Sequence, residues 1–322
     1  MNPIRRSCVV ALSSALLIPF ASAQSQAFPT KPVRIIVPAA PGGSADKNIR
    51  AISDKLSQMW KQSVIVEYKA GANTIIGTDF VAKSAPDGHT LLINSAAIVV
   101  NPAMYAKLPY DTLRDLMPVS MISTAPFALV VHPSVPARNA KEFLELARTK
   151  PETLSFGTAE SRALLAGLQF NLAAKTRLES VPFKGAGALM NDLVAGHVPV
   201  AFSALSSVQA MVNAGRLRLI GIATSKPSAL APNATPLAAE VVPGFEAESW
   251  FGLFAPHGTP KPIVDQIARD VASVLRDPDV TQRFVEIGAQ PTSEAPEVFA
   301  RRVKTEIDST ARIARAANLK PE

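Results

Sequence analysis

The sequence predicts an α/β protein with mainly parallel sheets, built as two domains joined by a pair of strands. Three observations carry this expectation. Short apolar or β-branched runs alternate with stretches of helical period almost throughout the chain. The 322 residues, 48% of them hydrophobic, suffice for more than one core. Two apolar runs far apart in sequence, "FALVVHP" (Phe127 to Pro133) and "SWFGLFAP" (Ser249 to Pro256), lead into and out of the middle of the chain. Two strands passing between domains make a hinge.

A leader precedes the fold. Arg5 and Arg6 stand before the apolar run Cys8 to Phe20, which closes on Ala21, Ser22 and Ala23. That is the pattern of a secretory signal peptide cleaved after Ala23. The run is shorter than the roughly 20 apolar residues of a spanning helix, and Cys8 lies inside it rather than at the small-residue site, so neither a membrane span nor a lipid anchor is expected. Cleavage removes the single cysteine, leaving no disulfide and no thiol nucleophile. Losing Arg5 and Arg6 also lowers the formal net charge from +7 to about +5. Dispersed basic residues and few aromatics argue against a nucleic-acid partner and fit attraction of small anions.

The first unit opens with "VRIIV" (Val33 to Val37), a strand covered on both faces. A turn holding Gly42 and Gly43 follows, then a helix expected to bury Ile49, Ile52, Leu56 and Met59. At such a turn the first N–H groups of the helix have no partner and the helix dipole favours an anion. "SVIVEY" (Ser63 to Tyr68), a helix from about Ile76 to Lys83, and "TLLINSA" (Thr90 to Ala96) complete a three-strand sheet. "FALVVHP" then leads to a helix capped by Asn139, with Glu142 three residues on.

A second set of units comprises "LSFGTA" (Leu154 to Ala159), a helix to about Ala174, "ESVPFKG" (Glu179 to Gly185), a helix to Ala195, "VPVAFSAL" (Val198 to Leu205), another helix and "LRLIGIATS" (Leu217 to Ser225). "KPSALAPNATP" reads as a surface connection. In the tail, Thr259 caps and Pro260 opens a helix carrying Ile263, Ile267, Val271 and Val274; Asp277 and Pro278 start the next; the last carries Phe299, Val303 and Ile307. With no strand of its own, the tail covers the first sheet. The first domain is then discontinuous, 28–125 plus 250–322, around a second at 126–249.

Enzyme chemistries fail one by one. "GGSAD" departs from G-x-S-x-G at Asp46, and no histidine lies in a comparable turn. His89, His132, His197 and His257 lack metal-ligand spacing. "KGAG" (Lys184 to Gly187) is no phosphate loop, and Glu142 with Glu145 is a solvated helix face. No cofactor or metal is expected. What remains is a set of loops after strands that carry small polar residues: Gly42, Gly43 and Ser44; Asn94 and Ser95; Gly157 and Thr158; Lys184 and Gly185; Ser203. In parallel sheets ligands bind outside the carboxyl ends of the strands, and such loops facing each other across a hinge form a clamp.

Several segments carry a family resemblance: "VPAAPGGSAD", "APDGHTLLI", "NPAMYAKLPYDTLRDLMPVS", "VVHPSVPA", "VPFKGAGALMNDLVAGHV" and "SWFGLFAPHGTP". In this order, from about Phe28 to the C-terminus, they resemble the Bug receptors, the periplasmic substrate-binding proteins of tripartite tricarboxylate transporters. The resemblance implies a type II periplasmic binding protein (Venus flytrap) fold, a periplasmic monomer, and transfer of the captured ligand to membrane transporter subunits or, as in some relatives, to a sensor. It also implies a small organic acid whose carboxylate is held largely by backbone groups and ordered waters at the first βα loop. On this reading the ligand contacts are Ala39, Ala40, Gly42, Gly43, Ser44, Asp46, Asn94, Ser95, Thr158, Ala159, Glu160, Arg162, Lys184, Ser203 and Ala204.

Departures from the family bear on the ligand. Ala39 stands where an aromatic residue is common, and Ser203 where an Asp is. The usual Gly-Gly-Asn near Gly71 is replaced by Asn73, Thr74 and Ile75. The loop after "LSFGTA" is shorter, "ESRALLAG" (Glu160 to Gly167), and carries Arg162, whose planar fork suits a second acidic group. A neutral or amide ligand is the alternative, favoured by a cleft without cationic groups. A secreted hydrolase using Ser44 or Ser203 lacks a base.

Overall fold

The computed structural model describes residues 28–319 and 321. The leader and its cleavage site lie outside the described residues. The first run comprises β1 (Val33–Val37), α1 (Ser44–Trp60), β2 (Val64–Tyr68), α2 (Ile75–Ala82), β3 (Thr90–Ser95), α3 (Ala97–Met104) and α4 (Thr112–Asp115). The long strand β4 (Leu116–Val131) leads to α5 (Ala140–Thr149), β5 (Phe156–Thr158), α6 (Ser161–Ala174), β6 (Ser180–Pro182), α7 (Ala186–Ala195), β7 (Val200–Ala204), α8 (Leu205–Asn213), β8 (Arg218–Ile222) and α9 (Leu237–Glu240). β9 (Glu248–Pro256) returns, followed by α10 (Lys261–Val274), α11 (Pro278–Glu286), β10 (Gln290–Pro291) and α12 (Pro296–Ala316).

These elements form a mixed α/β fold with two sheets that share one strand. The first sheet runs β2-β1-β3-β9-β4-β10 and uses β4 from Leu116 to Pro126. The second runs β6-β5-β7-β4-β8 and uses β4 from Phe127 to Val131. The sheets are therefore mixed, not mainly parallel. β1, β2 and β3, and likewise β5, β6 and β7, are parallel, as their helical crossovers require, but every pairing made by β4 or β9 is antiparallel. A strand that runs out of one unit and a strand that returns beside it must point in opposite directions.

Burial follows the pleat. Ile35, Leu91 and Ile93 face α1 and α10 on one side of the first sheet. Ile36 and Leu92 face α3 and α12 on the other. Both faces are covered, which is why these strands are apolar without alternation. The second sheet is covered in the same way: Leu129, Phe156 and Phe202 lie on one side and Val130, Ala201 and Ile222 on the other.

Several expectations need correction. Met59 is exposed, and Trp60, one position on, fills the end of the α1 stripe with Nε1 donating to Asp270 Oδ2 at 2.7 Å. Thr259 does not cap α10: its hydroxyl donates to the Pro256 carbonyl at 2.8 Å. The tail does own a strand, β10, which pairs with β4 at Ser123 and Thr124. The strand read as Phe127 to Pro133 begins at Leu116, hidden in sequence by Pro118, Ser120 and Ser123. Position 160 is the only loop residue between Ala159 and α6, because "SRALLAG" is already helix. By contrast Asn139 and Asp277 do cap α5 and α11 through their side chains.

Candidate functional site

Helices α1, α2 and α3 follow β1, β2 and β3, and α6, α7 and α8 follow β5, β6 and β7, so all of them begin at the carboxyl edges of parallel strands. None has a side-chain cap. Elsewhere Asp111, Asn139 and Asp277 cap α4, α5 and α11, and α10 and α12 carry proline in the first turn. An uncapped first turn leaves N–H donors and the positive dipole end available to an anion.

The α1 junction is the most elaborate. Residues Ala40 to Ser44 are exposed, and Ala39 is half-buried. Gly42 adopts φ +79°, a conformation glycine takes without strain. Gly43 has an ordinary φ of −72° as the N-cap residue, and a Cβ there would sit 3.3 Å from the Ala40 carbonyl oxygen. Asp46 is 5% exposed and does not face a ligand with its carboxylate. It braces the turn instead: Oδ2 accepts from the Gly42 N–H at 2.7 Å, while Oδ1 accepts from Arg50 Nε at 2.7 Å and the Tyr68 hydroxyl at 2.8 Å. Burial alone would raise the Asp46 pKa, but the Gly42 N–H, Tyr68 and Arg50 outweigh it and hold the carboxyl below its usual range. Asn48, also buried, donates to the Ser44 carbonyl at 2.8 Å and accepts from the Ser123 hydroxyl.

The neighbouring junctions meet this one. Asn94 turns inward at 1% exposure, with Nδ2 on Thr78 Oγ1 at 3.0 Å and Oδ1 accepting from the Ser95 N–H at 2.8 Å, so it anchors α2. Ser95 is half-buried, its hydroxyl accepting from the Ala97 N–H at 3.2 Å. Asn73 reaches across to the second unit, where its Nδ2 donates to Ser161 Oγ at 3.0 Å. A Cβ on Gly288, before β10, would come within 2.8 Å of Ser206 Cα in α8. Leu165 of α6 packs among first-unit residues including Trp250 and Phe299.

In the second unit Thr158 is buried and Ala159 half-buried at the end of β5. Glu160, the N-cap residue of α6, combines two properties: its surface is exposed, yet desolvation by surrounding protein raises its pKa with no compensating partner. Lys184 is exposed before α7, and Ser203 and Ala204 are half-buried at the end of β7. Arg162 is not a free fork. Its Nε and Nη2 donate to the Glu248 carbonyl at 3.2 and 3.1 Å, and its guanidinium lies 6.0 Å from the Phe127 ring centre. Burial lowers its pKa against the pull of Glu306 and Glu248. It ties α6 to the start of β9.

The sequence reading did not count Asn73, Asn101 or Ser161 as site residues. The signal for Asn73 lay in the replaced glycine pair; nothing local marked its partners. Among the described residues no histidine hydrogen-bonds Ser44 or Ser203, and no group of His, Cys, Asp and Glu could hold a metal.

The family described as the tripartite tricarboxylate transporter family receptor matches residues 48–319. The chain belongs to this family. Within the family, BugT of Bordetella pertussis is 32% identical over 325 residues, covering 99% of each chain. An R. palustris protein solved with adipate superposes with a TM-score of 0.82 at 30% identity, covering 92% of this chain and 100% of its own. MatC from Rhodopseudomonas palustris, solved with malate, gives 0.77 at 29% identity, covering 89% and 99%. The fold is thus that of the two-domain periplasmic binding proteins, and the family is one of receptors, not enzymes.

Proposed function

We propose that the protein is a periplasmic receptor that captures a small organic acid between units 28–125 plus 250–322 and 126–249, for delivery to membrane transporter subunits. Export would follow from the leader at 1–23. The observation that carries this reading is the set of uncapped helix starts at the strand edges, α1 above all, where Asp46 presents a pre-shaped turn of backbone donors. Backbone N–H groups held in place bind a carboxylate without paying to order a side chain. The Gly43 and Ser44 N–H groups hold the carboxylate, with Gly42 shaping the turn through its bond to Asp46; Thr158, Ala159, Lys184, Ser203 and Ala204 close over the remainder. The adipate and malate held by the two relatives support the ligand class.

Glu160 favours a second, narrower reading. It follows Thr158 and Ala159 at the carboxyl edge of β5 and makes no capping bond to α6; an unpaired carboxylate there repels a second acidic group and attracts a donor, so the preferred ligand carries one carboxylate together with a hydroxyl, ammonium or amide N–H. A thermal-shift screen of the exported protein against mono- and dicarboxylates, amino acids and neutral amides tests both readings. A ligand at 100 times its Kd raises stability by about 2.7 kcal/mol. Shifts with acids, largest for donor-bearing monoacids, are expected. Shifts confined to neutral amides would refute carboxylate capture.

A further inference from the structure

The loop before α2 is the most strained backbone among the described residues. Ala72, Asn73 and Thr74 have φ of +45°, +48° and +74° in succession. Asn tolerates this region, but Ala and the β-branched Thr do not. Strain of this kind persists only where surrounding contacts over-determine it, and it concentrates at functional sites. Here the contacts are explicit. Asn101, fully buried, donates from Nδ2 to the Asn73 carbonyl at 2.9 Å, and the Asn73 amide returns a bond to Asn101 Oδ1 at 2.7 Å. The Thr78 hydroxyl and N–H both donate to the Thr74 carbonyl.

The same Asn73 Nδ2 then donates to Ser161 Oγ at 3.0 Å. Ser161 is the first residue of α6 and is 9% exposed. Among the described residues this is the side-chain hydrogen bond that joins the units 28–125 plus 250–322 and 126–249 away from the shared strands. Asn101 holds the amide at one edge, which leaves its second N–H directed across the seam at Ser161.

We infer that Asn73 is a positioning residue for ligand capture: through Ser161 it latches the start of α6 against the first unit and raises the population of the closed, binding-competent state. This rests on the cleft being the binding site. Apparent affinity scales with the fraction of protein already competent. A neutral hydrogen bond of ordinary strength shifts the closed-to-open ratio about two- to tenfold.

The test measures closure and binding separately. Spin labels at Asp54→Cys and Arg177→Cys, exposed positions in the two units, are introduced into the Cys8→Ser protein, and distance distributions are recorded without ligand. The backgrounds are wild type, Asn73→Gly, Ser161→Ala and the double variant. Glycine keeps the left-handed φ, so Asn73→Gly removes the latch without adding backbone strain, together with the bond to Asn101. The expected result is a shift of each single variant toward the open distance by about two- to tenfold in population ratio, with the double no more open than the singles. Ser161→Ala leaves the Asn73–Asn101 pair intact, so it should open the protein as far as Asn73→Gly does, which a merely structural role of Asn73 would not produce. Unchanged distances in the singles, or additive shifts in the double, would overturn the latch. Titrations with malate, adipate, lactate and glycine form a separate arm: if none of these acids binds wild type, the proposed ligand class fails, while the ligand-free distances still decide the latch.

Discussion

Two helix starts in this molecule are built in opposite ways. At α5 the Asn139 side chain accepts from the Glu142 N–H at 2.9 Å, and Glu142 reaches back to the Arg138 N–H and the Asn139 amide, each at 2.8 Å. At α1 the N-cap residue is Gly43, which has no side chain to offer, and the nearest acid, Asp46, is turned onto Gly42. The first arrangement closes the helix on itself and contributes about 1 kcal/mol of stability. The second forgoes that stability and leaves the first turn open. All the helices that follow the parallel strands share this second design. The missing cap alone does not set α1 apart, since α9, α10 and α12 lack a side-chain cap too; the difference lies in a glycine turn shaped by a buried acid at the carboxyl edge of a parallel strand.

The strongest way to break the comparison is to install a cap at α1. Gly43→Asp places a carboxylate where the proposed function docks that of the ligand, and its Cβ must also crowd the Ala40 carbonyl. Affinity for an acid found in the screen should fall by on the order of 100-fold or more, since charged hydrogen bonds contribute up to about 3 kcal/mol. Isothermal calorimetry on the folded variant decides it; wild-type affinity would mean that the open turn does not hold the ligand.

Removing the brace comes next. Asp46→Asn loses the charge that holds Gly42, Arg50 and Tyr68 together, and affinity should drop about tenfold, for one charged hydrogen bond of ~1.5 kcal/mol. The pH dependence has a definite sign. Because the Asp46 pKa is held below its unfolded value, its contribution is present above the usual aspartate range and is lost as pH falls through the folded value. Melting curves of the Asn variant should therefore converge on wild type in acid. Divergence that grows with acidity would contradict the brace.

The opposite operation sharpens the comparison at α5. Asn139→Ala should cost about 1 kcal/mol of stability and leave acid affinity unchanged, as read by chemical denaturation and calorimetry on the same preparation. A parallel loss of affinity would show that the two helix starts are not functionally distinct.

The smallest effect concerns Glu160. Its raised pKa means that the protonated form is favoured in the folded protein, a contribution full at low pH and lost as pH rises through that value. Dicarboxylate binding should accordingly weaken by about two- to fivefold as pH rises from the ordinary carboxylate range toward neutrality, the scale of a solvent-screened charge pair. Glu160→Gln should flatten that profile. An identical slope in the variant would remove Glu160 from the cleft.

The order of elements, the apolar centres of β1 and β3, the stripe Ile49, Ile52 and Leu56, and the caps at Asn139 and Asp277 were all legible in the sequence, because each is a local periodicity or a local hydrogen bond. So was the glycine turn after β1. The first half of β4 was not, since Pro118 and three buried or half-buried hydroxyl residues mask a strand that only pairing with β9 makes apolar in effect. Composition alone could not say which polar residues face the cleft. Asp46, Asn94 and Arg162 are side chains of the kind that bind ligands, and tertiary contacts turn each one onto the protein's own backbone or a neighbouring helix. Asn73, a residue that a sequence reader passes over as a turn, is carried to the seam because Asn101, 28 positions away, holds it there. Local propensity thus determines where helices and strands start, whereas the direction of a polar side chain depends on partners distant in the chain.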